Sequence, residues 1–345
     1  MSFTVGRFDI NNRRYTGSKY KLMSWIRQMI LENCPCHSTL FDVFGGTGVV
    51  SAGLMDIVSE IVINDFLYSN EIIYKAFFSQ EFFDEVKLEN YILSVMDIDV
   101  DRLPDNYVSL NYGDKFFNVS DAKLIGYVRE DIEFRYNCGE FNNHEYLILL
   151  ASLMYSLDRS ANTVGHYEAY IKGKELRSTL RLDLIRPIRT NIPIHIFRRD
   201  SNILSRDVYA DVAFVDPPYN SRQYSRFYHV LENITKWNKP VLSGVAMKPP
   251  EENMSEYCRN SDPKVFEDLI MNLRVKYIIV TYNNTYDSKS SSSRNKMMLE
   301  EVKKILKKRG NTKIFCHDYV RFNAGKTLKT DHKELLFITE VDNFA

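Results

Sequence analysis

The feature that most constrains the fold is a strand, a glycine turn, a helix and a second strand packed into about 25 residues. Thr39 to Phe44 is apolar except for Asp42. Gly45-Gly46-Thr47-Gly48 follows, then a segment of helical character from Thr47 to Ile57. Ile61-Val62-Ile63 comes next and ends at Asn64-Asp65. A βαβ unit of this kind joins parallel strands, and a parallel sheet needs helices on both faces. Glycines between strand and helix let the backbone turn tightly and approach a ligand, beside the free N–H groups of the helix start. An acidic side chain at the end of the next strand, here Asp65, can accept hydrogen bonds from ribose hydroxyls. Asp42, Phe44, Gly45, Gly46, Thr47, Gly48 and Asp65 are therefore expected to bind a nucleoside-containing cofactor. A tight turn with a capping carboxylate is the bland alternative.

A second constellation follows a second apolar strand. Val212-Ala213-Phe214-Val215 stops at Asp216-Pro217-Pro218-Tyr219. Two prolines cannot extend a central strand, so the chain must leave the sheet rigidly here. Neither proline has an N–H, and the fixed φ pins the carbonyls. The result is a cluster of acceptors, the Asp216 carboxylate and the Asp216 and Pro217 carbonyls, beside the aromatic face of Tyr219. Such a cluster suits a planar group that carries an NH2. Tyr15-Thr16-Gly17-Ser18-Lys19 precedes a helix, and its aromatic and lysine could hold a sugar or base and a carboxylate. Alone it is a generic helix start.

Elsewhere, residues 67–95, 143–157 and about 263–273 are expected to be helical. Tyr277 to Thr281 reads as a strand, and residues 295–309 as a basic amphipathic helix ending at Gly310. The tail from Lys313 to Val341 alternates as an antiparallel strand pair does. Ser288 to Ser293 is of low complexity and reads as a mobile loop. Five scattered cysteines suit a reducing compartment better than a disulfide framework. Cys34-Pro35-Cys36-His37 lacks a second ligand cluster and is read as ordinary, so no metal is expected. No signal peptide or membrane span is visible.

Lys+Arg and Asp+Glu number 45 each, so the formal net charge is zero. The neutrality is a sum of unlike parts. Residues 66–157 carry 7 basic and 16 acidic side chains, a net of −9. Residues 158–345 carry 32 and 23, a net of +9. Zero net charge thus does not exclude a polyanion as partner, and points to the second segment as the place to meet one. Mutual pairing of the two segments would explain the same pattern.

These motifs, in this order, resemble the Dam-type, or alpha group, S-adenosylmethionine-dependent N6-adenine DNA methyltransferases. The resemblance runs over most of the chain. Tyr15, Gly17 and Lys19 match the N-terminal cofactor motif, with Tyr15 where Trp is commoner. Phe44 to Gly48 matches the Phe-x-Gly-x-Gly loop, and Asp65 the ribose-binding acid. Asp200, in Phe197-Arg198-Arg199-Asp200, matches the acid near the cofactor adenine. Asp216 to Tyr219 is the catalytic motif without substitution. Tyr219-Asn220-Ser221-Arg222-Gln223-Tyr224 and Tyr228-His229-Val230-Leu231-Glu232 resemble a restriction–modification subgroup. Thr281-Tyr282-Asn283 resembles a Ser-Tyr-Asn motif. The resemblance implies a Rossmann-like methyltransferase sheet flanked by helices, an α/β fold. It also implies an inserted, mostly helical target-recognition region ending in a β-hairpin. The catalytic domain would be residues 1–65 and 193–345, and the insert 66–192.

The segment Asp158 to Lys174 resembles the family's DNA-contacting hairpin. Arg159, Asn162, His166, Tyr167, Lys172, Lys174 and Arg177, with Arg222 downstream, are its implied DNA contacts. Arg and Lys would meet phosphates and guanine edges, and Asn162 an adenine edge. A solvated hairpin is the plainer alternative. The implied activity is transfer of a methyl group from S-adenosylmethionine to the N6 amine of an adenine flipped out of duplex DNA. Tyr219 would stack on the base, while Asp216 and the Pro217 carbonyl accept the amine hydrogens. The implied partners are double-stranded DNA and a cognate restriction endonuclease, genetic rather than necessarily physical, with no membrane. The implied setting is the cytoplasm, in association with the nucleoid, in a bacterial or phage context. Another amino acceptor, cytosine N4 or RNA adenine, is the alternative. A nicotinamide-dependent dehydrogenase would share the glycine turn but has no use for Asp-Pro-Pro-Tyr, and a non-catalytic DNA-binding module has no use for intact cofactor motifs.

Overall fold

The computed structural model describes residues 4–173, 175–218, 221–259, 262–283, 297–318 and 333–342. The chain divides into two units. One comprises Ser18–Leu67, Asn191–Tyr224 and Asn253–Ala345. The other comprises Met1–Gly17, Tyr68–Thr190 and Ser225–Glu252.

The first unit is built on a seven-stranded sheet. Its strands are β1 (Thr39–Asp42), β2 (Glu60–Asn64), β3 (Ile194–Phe197), β4 (Tyr209–Val215), β5 (Arg274–Asn283), β6 (Gly310–Asp318) and β7 (Lys333–Val341). Across the sheet the order is β3-β2-β1-β4-β5-β7-β6. The pairs from β3 through β5 are parallel, and β7 runs antiparallel to both β5 and β6. The inner strands are continuous apolar runs because both faces are covered. Phe41, Ala213, Val215, Ile278 and Val280 pack with Phe266 and Leu269 of helix Asp262–Asn272 and with Val302 and Leu306 of helix Leu299–Leu306. Strand order reverses between β1 and β4, and a crevice opens at such a point beyond the carboxyl ends of the strands. In this register Asp42 lies opposite Phe214, so the segments following the two strands, residues 43–48 and 216–218, leave the sheet side by side.

The second unit is mostly helical. Its long helices are Tyr68–Phe78, Glu85–Met96, Val119–Asn137 and Asn143–Ser160. The stretch expected to be helical over 67–95 holds two helices, the second capped by Asp84, which accepts the Lys87 N–H at 3.0 Å. A short parallel pair joins Arg7–Phe8 to Leu184–Ile185. A buried polar cluster ties the unit's segments together. Arg13 Nε lies 3.1 Å from Asp158 Oδ2, Arg13 Nη1 donates to Asn70 Oδ1 at 2.8 Å, and the Tyr167 hydroxyl donates to Asp158 Oδ1 at 2.9 Å.

Two expectations give way here. Residues 1–17 and 225–252 belong with the helical unit, whereas a division by sequence position left them in the catalytic domain. Residues 161–173 hold no strand, so the hairpin expected at the end of the insert is a loop. Asn162 ties this loop down, its backbone N–H and side-chain amide donating to three carbonyls. Its N–H donates to Phe116 O at 2.8 Å, and its Nδ2 to Lys115 O and Ile171 O at 2.9 Å each. Gly165 and Gly173 turn the chain with φ of 106° and 71°. The low-complexity Ser288 to Ser293 lies outside the described residues, as does the start of the helix expected over 295–309. No described helix is long and apolar enough to cross a membrane.

Candidate active site

The glycine loop beyond β1 is held by its backbone. Gly45 N–H donates to Asn64 O at 2.8 Å, and Gly48 N–H to Gly45 O at 2.7 Å. Gly46 and Gly48 take φ of 53° and 77°, a region where a Cβ is strained, so the loop must be bare there. Asp65, just past β2, accepts Gly46 N–H at 2.9 Å and Leu67 N–H at 2.8 Å, one on each oxygen. Asn64 bridges this loop to the one before Asp200. Its Nδ2 donates to Val43 O at 3.2 Å, and its Oδ1 accepts Arg199 N–H at 3.0 Å. Asp200 is exposed and caps helix Ser201–Leu204 through one oxygen, which accepts Ile203 N–H at 3.1 Å. Phe44 is half-buried, edge-on to Tyr257 at 5.2 Å. Thr47 is buried. A bare loop flanked by two strand-end carboxylates and an aromatic fits a nucleoside carrying a ribose.

Asp42 lies beneath that loop, 1% exposed, with Ser51 donating to its Oδ2 at 2.7 Å. Burial pushes its carboxyl up to about 7; the Ser51 hydrogen bond opposes this, and the charges of Asp216 and Asp65 add to it. By its place in the motif Asp42 is expected among the cofactor-binding residues. Its depth and its bond to Ser51 make it a support of the loop.

Beyond β4, Asp216 is held from both sides. Lys19 Nζ lies 2.9 Å from its Oδ2, and the Thr281 hydroxyl donates to its Oδ1 at 2.7 Å. Lys19 also lies 3.2 Å from Glu334 Oε1. Burial alone would lower the Lys19 ammonium, but the two carboxylates outweigh it and leave the group above the usual lysine range. Pro217 is buried and Pro218 half-buried. Tyr219 lies outside the described residues. Sequence reading thus anticipated Lys19 and Asp216 without their contact, saw Thr281 only as part of a motif, and missed Glu334. The one signal for Glu334 is a carboxylate directly before the apolar run Leu335 to Ile338 of β7.

The remaining expected residues lie in the helical unit, except Arg222, which is half-buried in the sheet unit. The Tyr15 ring stacks on Tyr228 at 4.6 Å and 6°, with the Arg13 guanidinium 5.3 Å from its centre. Gly17 has φ of 86°. Tyr167 and Asn162 are buried, so neither faces solvent as a base or phosphate contact must. Their hydrogen bonds to Asp158 and to backbone carbonyls give them structural roles. His166 stacks on Phe227 at 4.5 Å. Arg159 is held by Asp183 at 2.6 Å and lies over Phe8. Lys172 and Arg177 are exposed. Lys174 lies outside the described residues.

A family model for D12 class N6 adenine-specific DNA methyltransferases matches residues 15–285. Among curated proteins, the type II methyltransferase M.NlaIII of Neisseria lactamica is 29% identical over 92% of this chain and 95% of its own length. The type II methyltransferase M.CviAII of Paramecium bursaria Chlorella virus 1 is 30% identical over 96% of this chain and all of its own. M.FokI of Planomicrobium okeanokoites, another type II methyltransferase, is 28% identical over 86% of this chain, which spans about half of it, 47%.

Proposed function

The chain belongs to the D12 class of N6 adenine-specific DNA methyltransferases, and on that premise we propose that Asp216 is the acceptor that prepares the target amine. The observation that carries this reading is the double hold on Asp216, by Lys19 and Thr281, at the reversal of strand order. A carboxylate oxygen can accept more than one hydrogen bond, and the orientation of this carboxylate is set before substrate arrives. With the Pro217 carbonyl it would accept the two hydrogens of an exocyclic amine. The nitrogen lone pair is then drawn out of the ring and directed to the methyl carbon. Tyr219 would stack on the base, which must leave the duplex to reach the pocket.

The methyl donor is S-adenosylmethionine, which supplies an electrophilic sulfonium methyl. Gly45 to Gly48, Asp65 and Asp200 would hold its nucleoside part, with Phe44 alongside. The nitrogen lone pair would form the new N–C bond as the S–C bond breaks, with the electron pair of that bond staying on sulfur. The surplus proton leaves the amine on the Asp216 side. Fixed proximity of the two reactants provides much of the acceleration.

The chain's similarity to type II methyltransferases supports a protective role against a cognate endonuclease, acting in the cytoplasm on double-stranded DNA. In the helical unit, exposed Lys172 and Arg177 are the proposed phosphate contacts. Labelled S-adenosylmethionine incubated with duplex DNA tests the function, with an adenine-free G·C duplex and RNA as comparators. Label in N6-methyladenine that disappears in Asp216→Ala supports it. Label of equal yield in that variant would remove the acceptor role.

A further inference from the structure

Lys19 is a shared cation. The Lys19 and Glu334 side chains are each 7% exposed, so their 3.2 Å contact is little screened. Glu334 on β7 lies opposite Asn283 of β5, and Leu336 lies opposite Thr281. Paired residues of antiparallel strands share a face, and alternate residues along a strand return to it. The register therefore puts Glu334 on the face of the sheet that carries Thr281, the second partner of Asp216.

Two carboxylates around one ammonium leave a net charge of −1 in a place with little water. A lysine bound to a single carboxylate would draw charge from it and tie it down. Divided between two, it orients Asp216 and leaves more negative charge there. We propose that Glu334 is a positioning residue for methyl transfer, holding Lys19 between the two carboxylates so that Asp216 stays oriented and electron-rich as an acceptor. Glu334 acts through Lys19, not on the reacting atoms. The inference rests on the acceptor role proposed for Asp216.

Single-turnover methyl transfer by Glu334→Gln tests it, measured with the dissociation constants for S-adenosylmethionine and DNA and with thermal unfolding. The substitution keeps the shape and removes the charge. The transfer rate is expected to fall roughly tenfold, a loss within the range of couplings between residues in contact. Both dissociation constants should stay near wild type, a split that a merely structural role would not produce. Glu334→Asp keeps the charge but lengthens the contact, and should fall between. A folded Glu334→Gln enzyme with the wild-type rate overturns the proposal, as does a loss confined to binding. Should Glu334→Gln fail to fold, Glu334→Asp decides alone: a rate below wild type with both dissociation constants unchanged supports the proposal, and an unchanged rate or a loss confined to binding overturns it. Asp216→Ala keeps the two readings apart. If it is active, the acceptor role itself is wrong. If it is inactive beside a Glu334→Gln enzyme of normal rate, only the role of Glu334 is wrong.

Discussion

Thr281 donates its hydroxyl to Asp216 Oδ1 at 2.7 Å, from the strand next to the one that ends at Asp216. The two strands are parallel and Val215 pairs with Val280, so Asp216 and Thr281 are each one step beyond a matched pair. Thr281 is fully buried, and its hydroxyl is spent on this carboxylate. A hydrogen bond to a charged group contributes about 1.5–3 kcal/mol. Thr281→Val should therefore slow methyl transfer by roughly ten- to a hundredfold, if most of that energy orients Asp216 for reaction. Thr281→Ser, which keeps the hydroxyl, should retain most of the rate. Equal rates for Thr281→Val and wild type in a single-turnover assay would show that the bond does not set the acceptor.

The buried Asp42 gives the fold a pH dependence that can be assigned. Its folded carboxyl titrates near 7, against an ordinary value near 3.8. Between those values the folded chain holds a proton that the unfolded chain has released. Stability from this group is thus fully present below about 4 and falls as pH rises, reaching its floor above about 7. Asp42→Asn has no such titration. The stability difference between variant and wild type should grow in the variant's favour from pH 5 to pH 8. Denaturant unfolding at several pH values checks this, and parallel curves for the two proteins would refute it.

Much of the fold was legible because its local chemistry was unambiguous. The run from Thr39 to Asp65 contains strand, turn, helix and strand with few alternatives, and Asp-Pro-Pro ends a strand wherever it falls. What was not legible depends on contacts distant in sequence. Glu334 lies more than 300 residues from Lys19, and only the pairing of β5 with β7 brings them together. Tyr167 and Asn162 misled for the opposite reason. Amides and phenols suit nucleic-acid edges, but the same groups satisfy buried polar atoms, and sequence alone does not separate the two uses. The membership of residues 225–252 in the helical unit was likewise invisible, since nothing in their composition changes at residue 225.

Tyr167 provides the sharpest separation of a packing role from a DNA-binding one. Its hydroxyl donates to Asp158, which also pairs with Arg13, so the bond belongs to a buried charged cluster. Tyr167→Phe should cost about 2 kcal/mol of folding stability. DNA affinity at a temperature where the variant is fully folded should be unchanged, as should its salt dependence. Weaker DNA binding with undiminished stability would return Tyr167 to the interface.

Lys172 and Arg177 are the exposed cations of the segment first expected to meet DNA. No ion pair engages either among the described residues, in contrast to Arg159 and its partner Asp183. A cation that neutralises a phosphate releases counterions, and each such contact adds about 0.9 to the slope of log affinity against log salt. Lys172→Ala with Arg177→Ala should therefore weaken binding to all duplexes alike and reduce that slope by about 1–2. Arg159→Ala should act differently. It removes one of the two cations on Asp183, leaving Arg181 at 3.0 Å from the other oxygen, and should lower stability more than it changes the slope. Binding isotherms over a range of salt concentrations decide between these outcomes. An unchanged slope in the double variant would move the phosphate contacts to another surface of the protein.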